Sequence, residues 1–146
     1  MKILFGILMF LSFQFAHSQT FTGQLGPIPD NNNLVDFPVS VNGVALPLDT
    51  NFGLARICFN ISHQNVSDLQ MLLVAPSGKA VLMFDGIGWD GNNFTNTCLA
   101  GRDRPLIFNG GAPFSGTYSP QQSLGQFNNG ELANGVWKLR IRDKRA

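Results

Sequence analysis

The side chains able to do chemistry are few, and most of them are hard oxygen donors. Asp68, Asp85, Asp90, Asn92, Asn93 and Asp103 fall in stretches that read as loops or strand ends. Carboxylate and amide oxygens are the ligands Ca2+ takes, although no EF-hand or nonapeptide spacing accompanies these and Asp and Asn are also ordinary turn formers. Asp68, Asp85, Asp90 and Asp103 are the candidate Ca2+ set. Asp68 has a second reading, as a residue at the start of a strand that accepts hydrogen bonds from nearby backbone amides. His63, in NISHQN, is the one histidine after residue 18 and so the one candidate general base. A triad hydrolase would need it to meet an Asp, a Ser and an oxyanion donor, assembled by a catalytic domain far larger than this chain. FNGGAPFSG is Gly-rich but lacks the Lys and following Ser/Thr of a phosphate-binding loop. No catalytic residue is assigned, and no cofactor is required.

Cys58 and Cys98 leave two alternatives open. In an exported protein they can form a disulfide, which across the intervening loop would be worth about 3–4 kcal/mol through the unfolded state; otherwise they are two buried thiols. Without clustered histidines they are not a zinc site. Export is indicated by the N-terminus. Lys2 precedes an apolar run ending at Phe15, and Ala16-His17-Ser18 places small residues before a cut at Gln19, the pattern of a secretory signal peptide over residues 1–18. The run, roughly 14 residues, is shorter than the ~20 of a membrane span. Nothing later resembles a transmembrane segment, so the expected location is secreted or cell-surface.

What remains, roughly 128 residues, suits one domain with one core. It is rich in Gly, Asn, Phe and Val and poor in Lys and Glu, which favours an all-β extracellular domain. The net charge of +1 nominates neither nucleic acid nor an anionic membrane as partner. In VWKLRIRD basic residues alternate with Trp137, Leu139 and Ile141, one strand with an apolar face inward and a charged, solvated face outward.

Residues 19–33 read as a lead-in loop punctuated by Gly, Pro and Asn. LVDFPVSVNG follows as a strand closed by Asn42-Gly43, then GLARICFNISH with Ala55, Ile57, Phe59 and Ile61 facing the core. LQMLLV and KAVLMF flank Ala75-Pro76-Ser77-Gly78, where Pro76 and Gly78 fit a type I turn, so the pair reads as a buried hairpin covered on both faces. DGIGWDGNNFTNT reads as one long loop. The stretch 104–135 reads as mostly turns, with a short strand at Leu106 to Phe108. No 3.6-residue periodicity is sustained, and short strands between Gly/Pro turns predict a β-sandwich or barrel.

ISHQNVSDLQMLLVAPSGKAVLMF, GWDGNNFTNT and GGAPFSGTYSPQQSLGQFNNGELANGVWKLRIRD, in this order, resemble the P domain (P/Homo B domain) found behind the catalytic domain of kexin- and furin-like proprotein convertases and in secreted bacterial proteases. The resemblance runs from about Ile28 to Asp143. It implies a jelly-roll-like β-sandwich over residues 34–146, of the galactose-binding-domain-like kind. Phe114, Tyr118 and Trp137 would be buried aromatics, Gly116 and Gly135 would serve turns, and His63 would be a hydrogen-bonding residue at a strand end. Two departures stand out. Where family members carry an acidic pair, this chain reads CLAGRDRP, leaving Asp103. The family also continues past the final Asp into another strand, whereas this sequence stops at DKRA. A missing last strand would make the chain a fragment and leave Val136–Asp143 uncovered on one side, unless another strand fills the place.

The resemblance implies an exported, non-catalytic P-domain module that stabilises or regulates an adjoining subtilisin-like serine endopeptidase, or decorates a secreted or surface protein. Two alternatives accompany it. One is a carbohydrate- or matrix-binding β-sandwich using an exposed Trp89 and loop Asn/Asp residues, which a buried Trp89 would exclude. The other is a fragment of a serine-type endopeptidase whose catalytic domain lies elsewhere.

Overall fold

The computed structural model describes residues 19–145, so the signal-peptide reading of residues 1–18 lies outside the described residues. Among those described, no helix is long and apolar enough to cross a membrane. The fold is an all-β sandwich of two sheets. Seven strands follow in chain order: β1 (Leu34–Val41), β2 (Arg56–Ile61), β3 (Leu69–Val74), β4 (Ala80–Asp85), β5 (Phe94–Ala100), β6 (Phe114–Tyr118) and β7 (Gly135–Asp143). The larger sheet has the order β1-β7-β3-β4 and the smaller β2-β5-β6.

Alternation in the sequence decides which face each strand buries. In β7, Trp137 and Ile141 are buried and Leu139 is half-buried, while Lys138, Arg140 and Arg142 face outward. The β3–β4 hairpin turns at Ala75-Pro76-Ser77-Gly78, with the Gly78 N–H donating to the Ala75 carbonyl at 2.9 Å. Gly78 sits at φ 92°, a conformation that a side chain would strain. Met71, Leu73, Val81 and Met83 point inward and are almost wholly buried. Leu72 and Leu82 face outward, half-buried, opposite Arg140 and each other. The hairpin is therefore fully buried on one face, and the other keeps Leu72 and Leu82 only half-buried.

Phe84, Phe94 and Phe114 are buried at the centre of the core and half-buried Phe59 packs against them, one ring from each of β4, β5, β6 and β2, so aromatic contacts tie the two sheets together. Against the core's far end, the Trp137 ring meets Phe127 edge-on at 5.0 Å and its indole N–H donates to the Ala133 carbonyl at 2.8 Å.

Several expectations change. Val136–Asp143 has no uncovered side: β7 is paired antiparallel with β1 along one edge and with β3 along the other. Phe94 to Thr97, expected in a loop, opens the middle strand of the smaller sheet. A register shift between Thr95 and Thr97, with Asn96 at φ 49°, brings both Phe94 and Thr97 inward and erases the period-two pattern that announces a strand. Gly116 lies inside β6 at φ 92° rather than in a turn. Ile107–Asn109 is a short 3-10 helix, with Leu106 contributing a single bridge to Ser119. Tyr118 is only half-buried, its ring edge-on to Phe114 and its hydroxyl donating to the Ser115 carbonyl at 2.8 Å. Ala55 precedes β2 and is exposed.

The outer face of β7 carries its own counterion. Asp36 on β1 accepts from Arg140 through both oxygens, at 2.6 and 2.9 Å, with Lys138 3.3 Å away. The Arg140 hydrogen bonds, against the opposing effect of burial, hold the Asp36 carboxyl below its ordinary value. A carboxyl depressed in the folded state stabilises the fold above its unfolded value, and that contribution is lost as pH falls through the folded value. Stability measured by urea unfolding should therefore fall below about pH 4, and Asp36→Asn should flatten the acid limb. An unchanged limb would show that the pair is fully screened.

Candidate functional site

The residues that could do chemistry collect at the end of the larger sheet where β3 begins and β4 and β7 finish. Asp143 closes β7, only 3 % exposed. Its Oδ2 lies 2.9 Å from His63 Nε2, and its Oδ1 accepts from the Arg145 N–H at 3.2 Å. His63 Nδ1 lies 2.8 Å from the Asn65 carbonyl and 3.2 Å from the Asn65 N–H. Both ring nitrogens are thus engaged within the protein. This His–Asp pair ties the loop before β3 to the end of β7.

The basic residues after Asp143 occupy two of the predicted Ca2+ acids. Lys144 Nζ donates to Asp85 at 2.6 Å, and Gln70 Nε2 donates to the other Asp85 oxygen at 2.8 Å. Burial raises the Asp85 carboxyl, but the hydrogen bonds from Lys144 and Gln70 outweigh it and leave the group below its ordinary value. Asp68 Oδ1 lies 3.4 Å from Arg145 Nε, and the Asp68 carbonyl accepts from the Lys144 N–H at 2.9 Å. Asp103 is exposed beside Arg104, 3.4 Å away. Asp90 is exposed on the loop between β4 and β5, where Asn92 is exposed too, and Asn93 accepts from the His63 N–H at 3.0 Å. Among the described residues no three His, Cys, Asp or Glu side chains are grouped as a cation would need. The four predicted acids are not brought together, and Asp68 and Asp85 hold cations of the chain itself.

Cys58 on β2 and Cys98 on β5 face each other across the ladder and are bonded, their Cα atoms 4.0 Å apart. Pro76 packs beneath Gly135, whose missing Cβ would come within 2.8 Å of the proline ring. Phe114 is wholly buried and Trp137 is 7 % exposed.

Arg145, whose N–H donates to Asp143, also borders an open cleft of ≈ 270 Å³, lined in part by Ser67, Gly88, Trp89, Asp90 and Phe108. Trp89 is 89 % exposed and Phe108 62 %. The carbohydrate-binding alternative requires an exposed Trp89, and this condition is met. Phe108 carries no such sequence signal, because an apolar Leu-Ile-Phe run reads as buried; the 3-10 turn buries Ile107 and leaves Phe108 facing water. Both legs of the Trp89 loop are fixed. Gly86 N–H donates to the Leu69 carbonyl, the Gly91 carbonyl accepts from Val66, and Asn93 N–H donates to the His63 carbonyl, at 2.9–3.2 Å.

No family model matches the chain, and no curated protein matches it. Among solved structures, the chain is similar to one described as the crystal structure of Aeromonas sobria serine protease (ASP) and the chaperone (ORF2) complex. The likeness is 19 % identity and a TM-score of 0.32, covering 82 % of this chain and 21 % of that one. The chain thus spans about a fifth of that structure's matched chain, and a likeness so slight carries no argument about fold or function.

Proposed function

We propose that this chain is an exported, non-catalytic module of the P-domain kind that associates with a subtilisin-like serine endopeptidase and stabilises or regulates it. The observation that carries the non-catalytic part is the state of His63, whose two ring nitrogens are taken by Asp143 and Asn65. The association rests on sequence resemblance. The stretches that carry it become the β3–β4 hairpin at one side of the larger sheet, the loop bearing Trp89, and the strand β7 in that sheet's interior.

Two measurements test the reading together. Purified protein should hydrolyse no peptide substrate above buffer, with or without His63→Ala. Immobilised protein incubated with the source's own extracellular fraction should enrich an endopeptidase labelled by a fluorophosphonate, the covalent probe of serine hydrolases. Peptide cleavage abolished by His63→Ala would overturn the first half, and absence of any labelled endopeptidase would overturn the second.

A further inference from the structure

We propose that the cleft between Trp89 and Phe108 is a binding subsite for one pyranose ring of a neutral polysaccharide. Trp89 combines two features that folding alone does not reward. It is 89 % exposed, so it adds almost nothing to the core, and its backbone sits at φ 51°, where a bulky side chain is an outlier. Its neighbours Gly86 and Gly88 adopt positive φ with no such cost. An exposed aromatic held in a strained backbone by a loop pinned at both ends is arranged for contact, because the ordering is complete before any ligand arrives.

The rest of the cleft decides the ligand class. Phe108 adds a second exposed ring, and Ser67, Asp90 and Arg145 add hydroxyl, carboxylate and guanidinium groups. Such a mixture suits a molecule with an apolar C–H face and a rim of hydroxyls. The charge is balanced: Asp90 and Arg145 both line the cleft, and Arg145 already has Asp68 at 3.4 Å. No surplus cation remains to select a sulfated or uronic sugar. At ≈ 270 Å³ the cleft is smaller than drug-sized sites, which begin at about 300 Å³. A protein partner would want a wider apolar patch than two rings bordered by charges, since a specific interface covers about 800 Å² on each side.

The site gives its own spectroscopic signal. The chain has two tryptophans, and Trp137 is 7 % exposed with its indole N–H bonded to Ala133, so only Trp89 can answer to a ligand in solution. Titrating the protein with neutral hexaoses of glucose, mannose and galactose should give a saturable blue shift for at least one of them, with Kd about 1 mM. Trp89→Ala should abolish binding measured by calorimetry, Trp89→Phe should restore part of it, and Phe108→Ala should weaken it by about tenfold. The folded far-ultraviolet spectrum should be unchanged in all three. Three results would overturn the proposal: no response at about ten times that concentration, a response confined to anionic oligosaccharides, or Trp89-dependent capture of a protein with no sugar response. The endopeptidase reading is tested separately by the fluorophosphonate probe, so either can fail alone.

Discussion

Phe94→Ala is expected to lower the unfolding free energy by about 3–5 kcal/mol, the range for truncating a buried aromatic. Phe94 is 1 % exposed and touches three other rings: Phe84 and Phe114 at 5.0 Å, both stacked, and Phe59 at 5.6 Å, tilted. These belong to β4, β6 and β2, so one side chain joins both sheets of the sandwich. Neighbouring rings cannot collapse into the vacated space without losing their own contacts, and the surrounding strands are fixed by ladders. Single domains are stable by only about 5–15 kcal/mol, so the variant should sit near the edge of folding at ordinary temperature. Phe108→Ala, removing a ring 62 % exposed, is the matched control and should shift stability by no more than about 0.5 kcal/mol. Urea midpoints at unchanged slope give both numbers. A Phe94→Ala loss below about 1 kcal/mol would mean that the core is more plastic than close packing allows.

How far the sequence foretold these features depends on how regular each strand is. The β3–β4 hairpin and β7 were legible because their patterns are unbroken: two apolar runs around Pro76 and Gly78, and the alternation of Trp137, Leu139 and Ile141 with basic residues. β5 was hidden because the bulge at Asn96 puts Phe94 and Thr97, three positions apart, on the same buried face. β6 was hidden by Gly116 at its centre, a residue that speaks for a turn until a parallel neighbour is known. The pairing of β1 with β7 joins the two ends of the domain, which no local pattern can express. The same limit applies to the site. His63 and Asp143 lie 80 positions apart, and the occupation of Asp85 by Lys144 depends on β7 ending beside β4's neighbour β3. Acids in loops look alike in sequence, whereas their partners are set by topology.

Loss of the Cys58–Cys98 bond is the second large effect, and it should act mainly through the unfolded chain. The bond closes a separation of 40 residues that contains the whole β3–β4 hairpin. Chain entropy for a loop of that length gives about 4 kcal/mol. In the folded state the bond adds little that the ladder does not supply, because β2 and β5 already pair from Arg56–Ala100 through Phe59–Thr97. Cys58→Ser/Cys98→Ser should therefore keep the wild-type far-ultraviolet spectrum while its melting temperature falls by roughly 10–20 °C. Its urea slope should rise, since the freed chain exposes more surface on unfolding. Cys58 is exposed on its strand and Cys98 half-buried, so a thiol reductant can reach the bond without global unfolding. Reductant should lower the melting temperature of the wild type to that of the double variant and leave the double variant unmoved. If it lowers neither, the bond contributes nothing to the stability of the sandwich. If the double variant instead loses its folded spectrum at low temperature, the ladder between β2 and β5 depends on the bond, and the unfolded-state account is wrong.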